Sequence, residues 1–142
     1  MPEELIAHVT LKNQKVHFIG KAKTNLPIDI DYHPPVGDGE GYTSLELLLL
    51  SLASCSGTSI IALLRKMKKD VSEFAVESRG IRREQHPTSF EKIYLKFILT
   101  SKDAANLDIE KALKLSEESY CPVWAMLKGN AEIIPEYTIS RQ

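Results

Sequence analysis

A chain of 142 residues is long enough for one domain, whereas two halves would each be too small to bury a core of their own. A hydrophobic content of 43% and a charged content of 26% are typical of soluble globular proteins. The net charge of -1 gives no general attraction for nucleic acid or acidic lipid. We therefore predict one domain, residues 1–142, without nucleic-acid or membrane partners.

The amino-terminal residues 1–6 lack the basic start and the apolar run of a secretory signal. This predicts a cytoplasmic location, where thiols stay reduced, and two cysteines are too few for a disulfide scaffold. Cys55 and Cys121 are then either buried structural residues or redox-active thiols. Composition alone leaves both interpretations open.

The sequence predicts neither a metal site nor a cofactor. The four histidines lie in or beside predicted strands, without cysteine or carboxylate partners at metal-binding spacings. A Gly-rich loop at residues 37–41 resembles a phosphate loop only in its glycines. Asp38 and Glu40 would repel phosphate, and no Lys-Ser/Thr pair follows.

The first half of the chain predicts strands followed by one long helix. Alternating and apolar segments predict strands at residues 5–12, 14–22 and 28–32. Residues 44–68 predict a helix capped by Thr43 or Ser44, with Glu46 in its first turn. Its apolar side chains cover nearly all faces, so we expect protein to surround it on most sides. Polar residues interrupt the apolar stretch well short of the ~20 residues that a membrane span needs.

The second half predicts two strands, a helix, a short helix and a last strand, at residues 73–83, 91–100, 107–120, 123–127 and 131–139. Asn106 is the predicted N-cap of the second helix. Pro122 ends that helix, which puts Cys121 at a helix boundary. The order β-β-β-α-β-β-α-β has no regular βαβ alternation, so the predicted fold class is α+β.

The two cysteines are the most informative residues. They are 66 positions apart, which excludes a Cys-x-x-Cys motif. Small residues flank Cys55 in Ala53-Ser54-Cys55-Ser56-Gly57 and would let another element or a substrate approach its sulfur. Cys121 lies in a Tyr-Cys-Pro-Val corner. The pattern predicts a buried attacking thiol, Cys55, and a mobile resolving thiol, Cys121.

The sequence resembles the OsmC/Ohr (osmotically induced / organic hydroperoxide resistance) family over nearly its whole length. The resemblance depends on Ser44-Leu45-Glu46-Leu47-Leu48 with Leu52-Ala53-Ser54-Cys55, and on Tyr120-Cys121-Pro122-Val123 far downstream. It implies antiparallel sheets around a long buried central helix and a second helix, in an intertwined homodimer. It also implies reduction of organic hydroperoxides, with Cys55 as peroxidatic and Cys121 as resolving cysteine and a dithiol as reductant.

The sequence departs from the family pattern at the groups that activate the first thiol. The family's glutamate ten residues before the first cysteine is replaced by Leu45, and no arginine precedes Arg65. Glu46 lies one position on, rotated about 100° around the helix. A second hypothesis is therefore a non-catalytic or redox-sensing protein that binds a small apolar ligand or electrophile at the dimer interface. A third is a structural dimer with inert thiols.

Overall fold

The computed structural model describes residues 2–141, which form two compact units divided between Leu48 and Leu49. Three strands, β1 (Ala7–Leu11), β2 (Phe18–Ala22) and β3 (Ile28–Ile30), precede the long helix α1 (Ser44–Lys66). Then follow β4 (Glu73–Arg82), β5 (Phe90–Thr100), α2 (Asn106–Leu115), a π-helical turn (Ser116–Tyr120), α3 (Pro122–Leu127) and β6 (Glu132–Ser140). The predicted element order is confirmed. That the chain is one domain stays a prediction.

The first unit contains a three-stranded antiparallel sheet in the order β1-β2-β3. Its β1–β2 connection is longer than the single residue left between the predicted strands 5–12 and 14–22: the Lys12 N–H donates to the His17 carbonyl at 2.7 Å. Asn13 stabilises this loop, because its side-chain oxygen accepts hydrogen bonds from the N–H groups of Lys15 and His17.

A buried carboxylate organises the Gly-rich loop that follows β3. Asp31 accepts hydrogen bonds from the backbone N–H groups of Tyr32, Asp38 and Glu40 at 2.8, 3.3 and 3.1 Å. Burial alone would raise the pKa of Asp31. The three N–H groups and the nearby His17 outweigh burial and lower it.

Asp31→Asn should lower the melting temperature, because an amide cannot replace a carboxylate facing several N–H donors. The lowered pKa of Asp31 means that its contribution is present above the ordinary carboxyl pKa and is lost as the pH falls through the native value. The difference between wild type and variant should therefore shrink in strong acid. Asp38→Asn, at a half-exposed carboxylate paired with Lys15, is the matched control and should change little. Equal melting temperatures for Asp31→Asn and wild type at neutral pH would contradict this.

Helix α1 begins with a reciprocal cap at Thr43. The Glu46 N–H donates to the Thr43 hydroxyl at 3.2 Å, and the Thr43 N–H donates to the Glu46 carboxylate at 2.8 Å. The predicted cap at Thr43 is confirmed. The helix ends at Lys66, two residues before the predicted end, because Lys68 adopts a left-handed conformation with φ 63° and the Lys69 N–H bonds to the Leu64 carbonyl.

The second unit has a sheet in the order β4-β5-β6, in which β4 and β5 are antiparallel and β5 and β6 are parallel. Alternation along β5 turns one set of side chains into the core. The buried side chains of β5 are Ile93, Leu95, Phe97 and Leu99. The core also contains Leu52, Ile60 and Leu64 of α1, and Ile109, Ala112 and Leu113 of α2. Each of the larger aliphatic and aromatic side chains contributes on the order of 1.5–3 kcal/mol by leaving water.

Two local predictions are corrected. The N-cap of α2 is Ala105, not Asn106, since Ala105 has an extended backbone and its N–H donates to the Asp108 carboxylate at 2.8 Å. The helix therefore begins one residue before its predicted start, and the Asp108 carboxylate, not an asparagine side chain, caps its first turn. Within one chain, α1 is also not buried on most of its faces, contrary to the expectation. The buried residues follow a stripe, and Leu50 is 50% exposed.

Candidate dithiol site

Cys55 lies in the middle of α1, on a segment that approaches the neighbouring strand closely. Gly57 is buried, and a Cβ built there would lie 3.2 Å from Val76 Cγ2 and 3.4 Å from Phe74 Cε2. The serine hydroxyls are satisfied within the helix, since Ser56 Oγ donates to the Leu52 carbonyl at 2.7 Å. The small residues thus permit close helix–strand packing and leave Cys55 half-buried.

Cys121 lies between the π-helical turn and α3 with an extended backbone, φ -95° and ψ 102°. Its N–H donates to the Ser116 carbonyl at 2.9 Å, which closes the wide turn. Its sulfur accepts a hydrogen bond from the Trp124 N–H at 3.4 Å. Cys121 therefore serves as the N-cap of α3, with its side chain turned inward and only 2% of the residue exposed.

The fold brings the two thiols together. Burial, together with a hydrogen bond to the Cys55 side chain, raises the pKa of Cys121 to about 11. The Trp124 N–H opposes this increase, because it would stabilise a thiolate, but it does not outweigh burial. At neutral pH Cys121 is therefore a protonated thiol in contact with Cys55.

The burial of the two thiols is the reverse of the sequence prediction. Cys55 was expected to be the buried thiol and Cys121 the mobile one, yet Cys121 is almost completely buried and Cys55 is half-buried. The reason is the chain after Pro122, which turns into α3 and places the buried Trp124 beside Cys121. In the sequence, the proline corner indicated a mobile Cys121. In the structure, packing against residues distant in sequence holds Cys121 in place.

The groups that could activate Cys55 as a thiolate are engaged elsewhere. The Glu46 carboxylate is bound by the N–H and hydroxyl of Thr43, which lower its pKa. None of the hydrogen bonds of residues 2–141 joins an arginine to Cys55. Four of the five arginines contact other groups: Arg79 stacks on Tyr94, Arg82 and Arg83 bond to the β4–β5 loop, and Arg141 bonds to the Ser101 carbonyl. The departure from the family pattern seen in the sequence therefore persists in the described chain.

Sequence reasoning missed Ser116. It is completely buried, and its hydroxyl has no hydrogen-bond partner among the described residues, although its carbonyl accepts the Cys121 N–H. Its position on the inward stripe of the second helix was predicted. The π-helical turn that makes Ser116 the partner of Cys121 leaves no recognisable signal in the residues Ser116–Tyr120.

The described residues include no group of three or more histidine, cysteine, aspartate or glutamate side chains placed to hold a metal ion. By length and composition α1 could cross a membrane, but the core helix of a soluble protein meets the same criteria.

The fold and the site define an α+β protein with two free thiols close to each other. The chain belongs to the OsmC-like protein family, whose model matches residues 37–136. It is 30% identical over 122 residues to protein YhfA of Escherichia coli K12, covering 86% of this chain and 89% of YhfA. Proteins of this family are generally soluble.

Two solved structures extend the comparison. A hypothetical protein from Aquifex aeolicus superimposes with a TM-score of 0.87 at 28% identity over 99% of both chains. An organic hydroperoxide resistance protein OsmC from Legionella pneumophila superimposes with a TM-score of 0.71 at 15% identity, over 96% of this chain and 97% of that one. The second likeness concerns the fold alone. Together they confirm the predicted OsmC-like α+β fold. The implied antiparallel sheets are corrected in one respect: the second sheet is mixed, because β6 pairs parallel with β5.

The raised pKa of Cys121 predicts a loss of stability in alkali. The native protein keeps this proton up to about pH 11, whereas the unfolded chain releases it near 9.0. Between these values the native state binds more protons, so the free energy of unfolding should fall as the pH rises. Urea unfolding under reducing conditions should show a shallower fall for Cys121→Ser, which lacks the titrating thiol. Identical slopes for the two proteins from pH 9 to 11 would refute the assignment.

Proposed function

We propose that the protein is a dithiol peroxidase that reduces organic hydroperoxides in the cytoplasm, with Cys55 as the attacking thiol and Cys121 as the resolving thiol. The observation that carries the proposal is the inward-turned, 2% exposed Cys121, which lies so close to the half-buried Cys55 that Cys55 contributes to the raised pKa of Cys121. The membership of the OsmC-like family and the name of the Legionella pneumophila structure support the substrate class.

The first step is attack of the Cys55 thiolate on the terminal oxygen of the hydroperoxide. The O–O bond breaks, Cys55 becomes a sulfenic acid, and the alkoxide takes a proton and leaves as the alcohol. The half-buried position of Cys55 supports this assignment. Cys121 is the poorer nucleophile, because its raised pKa keeps the thiolate scarce at neutral pH.

The second step joins the two sulfurs. Cys121 attacks the sulfur of the Cys55 sulfenic acid, the S–O bond breaks, and the Cys121 proton leaves with the hydroxide as water. The closeness of the two thiols supports this step. A small dithiol then restores both thiols.

A redox sensor is the second candidate, and the missing activating groups favour it. Without an arginine beside Cys55, and with Glu46 held at the helix start, the rate of attack depends on other groups. A sensor would be oxidised once and would not turn over rapidly. No cofactor or metal is required for either function.

Steady-state kinetics separate the two candidates. With cumene hydroperoxide and excess dithiothreitol, a peroxidase consumes many equivalents of hydroperoxide per chain, at a rate proportional to protein concentration. A sensor loses its thiols once and consumes hydroperoxide no faster than dithiothreitol does without protein. That second result would refute the proposed catalysis.

The active form is proposed to be an intertwined homodimer. Within residues 49–142, an open groove of about 600 Å³ lies between α1 and β4, lined by apolar side chains that include Leu50, Ile61 and Phe74. A second copy that covers this face would remove Leu50, now 50% exposed, from water. The stability of such a dimer depends on protein concentration.

We expect a dimer at micromolar concentration by sedimentation and a melting temperature that falls on dilution. Leu50→Glu should dissociate it, because a carboxylate in an apolar interface is costly to desolvate. Met126→Glu is the matched control: Met126 is also exposed but lies on α3 and does not line this groove, so the dimer should survive. A wild-type monomer whose melting temperature is unchanged by dilution would contradict the proposal.

A further inference from the structure

We propose that a thiol reductant opens the Cys55–Cys121 disulfide by attacking the sulfur of Cys55, so that the mixed disulfide forms on Cys55 and Cys121 is the leaving thiol. This rests on the proposed function only in assuming that the two cysteines form a disulfide. The new element of the proposal is the identity of the sulfur that the reductant attacks.

Cys121 is almost completely shielded from solvent, whereas Cys55 is only half-buried. In thiol–disulfide exchange the attacking, central and leaving sulfurs lie in line, so a reductant that attacks Cys121 must approach opposite Cys55. The Trp124 N–H lies 3.4 Å from the Cys121 sulfur, and both residues are only 2% exposed. The first turn of α3 would have to open before a thiolate reached this sulfur.

Most helix neighbours of Cys55 are small. Of the four residues one turn away, Leu52 is buried in the core, while Ser51 and Thr58 are exposed and Ser59 is half-buried. Their hydroxyls bond to helix carbonyls or lie at the surface, and none covers the sulfur with a large side chain. Within one chain, Cys55 is therefore the more accessible of the two sulfurs.

The electron pair of the broken S–S bond passes to Cys121. With a pKa of about 11, this thiolate takes up a proton at neutral pH. A high pKa makes it a slow leaving group, which opposes attack at Cys55, but attack at Cys121 first requires α3 to open. Access therefore decides the direction. Once protonated, Cys121 is slow to attack the mixed disulfide again. The second thiol of a dithiol then attacks the reductant's own sulfur, releasing Cys55 and a cyclic disulfide.

The test uses a disulfide made with diamide, so that it does not depend on peroxidase activity. The oxidised protein is treated briefly with limiting 2-mercaptoethanol, a small monothiol, and free thiols are then trapped with N-ethylmaleimide in acid. Trypsin separates the cysteines, because Cys55 lies in the peptide 24–65 and Cys121 in the peptide 115–128. Mass spectrometry then locates the mercaptoethanol adduct.

We expect the adduct on Cys55 and the maleimide on Cys121, with at least about a tenfold excess over the reverse pattern, as follows from the difference in access. The same treatment in urea should place the adduct on both residues in similar amounts. A native adduct mainly on Cys121 would overturn the proposal, as would failure of diamide to form the disulfide. If diamide forms the disulfide but hydroperoxide does not, the proposed peroxidase function is refuted. The position of the adduct still tests which sulfur the reductant attacks.

Discussion

Cys55→Ser should abolish hydroperoxide consumption, whereas Cys121→Ser should keep the first turnover and slow the later ones. A serine hydroxyl at Cys55 is not a nucleophile at neutral pH and cannot form a sulfenic acid, so we expect turnover to fall by more than about a thousandfold. In Cys121→Ser the Cys55 sulfenic acid forms, but its own chain has no thiol left to condense with it, so later turnovers require direct reduction by the external dithiol. The two variants remove the same kind of atom from neighbouring positions, so each is the control for the other.

Two measurements distinguish these outcomes. The alcohol product, counted per chain without reductant, should be close to one equivalent for Cys121→Ser and absent for Cys55→Ser. Dimedone should label only Cys121→Ser, at Cys55. Equal activity in both variants, or label on Cys121 of the Cys55→Ser protein, would contradict the assigned roles.

Trp124→Ala should be the most destabilising single change at the site. Trp124 is 2% exposed and packs behind Cys121, so truncation leaves a large cavity and costs about 3–5 kcal/mol of unfolding free energy. This is a large fraction of the stability of an ordinary domain. Met126→Ala on the same helix is the matched control, because its side chain is 68% exposed and should change stability by less than about 0.5 kcal/mol.

Denaturant unfolding at one protein concentration and with both cysteines reduced measures this difference. A cost for Trp124→Ala no larger than that for Met126→Ala would mean that α3 does not hold Cys121 in the core. The burial that makes the Cys121 sulfur inaccessible would then have no explanation in the packing of α3.

The elements that local patterns specify were predictable. The alternation of Ile93, Leu95, Phe97 and Leu99 gave β5 nearly to its bounds, because each inward position is set by its own residue. Helix α1 begins at Ser44, in agreement with the predicted cap at Thr43 or Ser44. The pairing of the cysteines, however, was predicted through the family resemblance and not from their spacing, since 66 residues of intervening chain do not specify a contact.

The features that were not predicted depend on contacts distant in sequence. The parallel pairing of β6 with β5 joins strands separated by two helices and a π-helical turn. The burial of Cys121 depends on where Trp124 packs, and the role of Asp31 depends on loop N–H groups up to nine residues away. None of these contacts produces a periodic pattern in the sequence.

The most direct test is titration of the reduced protein with cumene hydroperoxide, followed by counting the free thiols and mapping the products. One equivalent should remove both thiols of each chain, and the mass should fall by two hydrogen atoms, with Cys55 and Cys121 joined in one cross-linked tryptic peptide. Protein that keeps both thiols, or that gains oxygen on Cys55 without ever forming the bond to Cys121, would contradict the dithiol peroxidase.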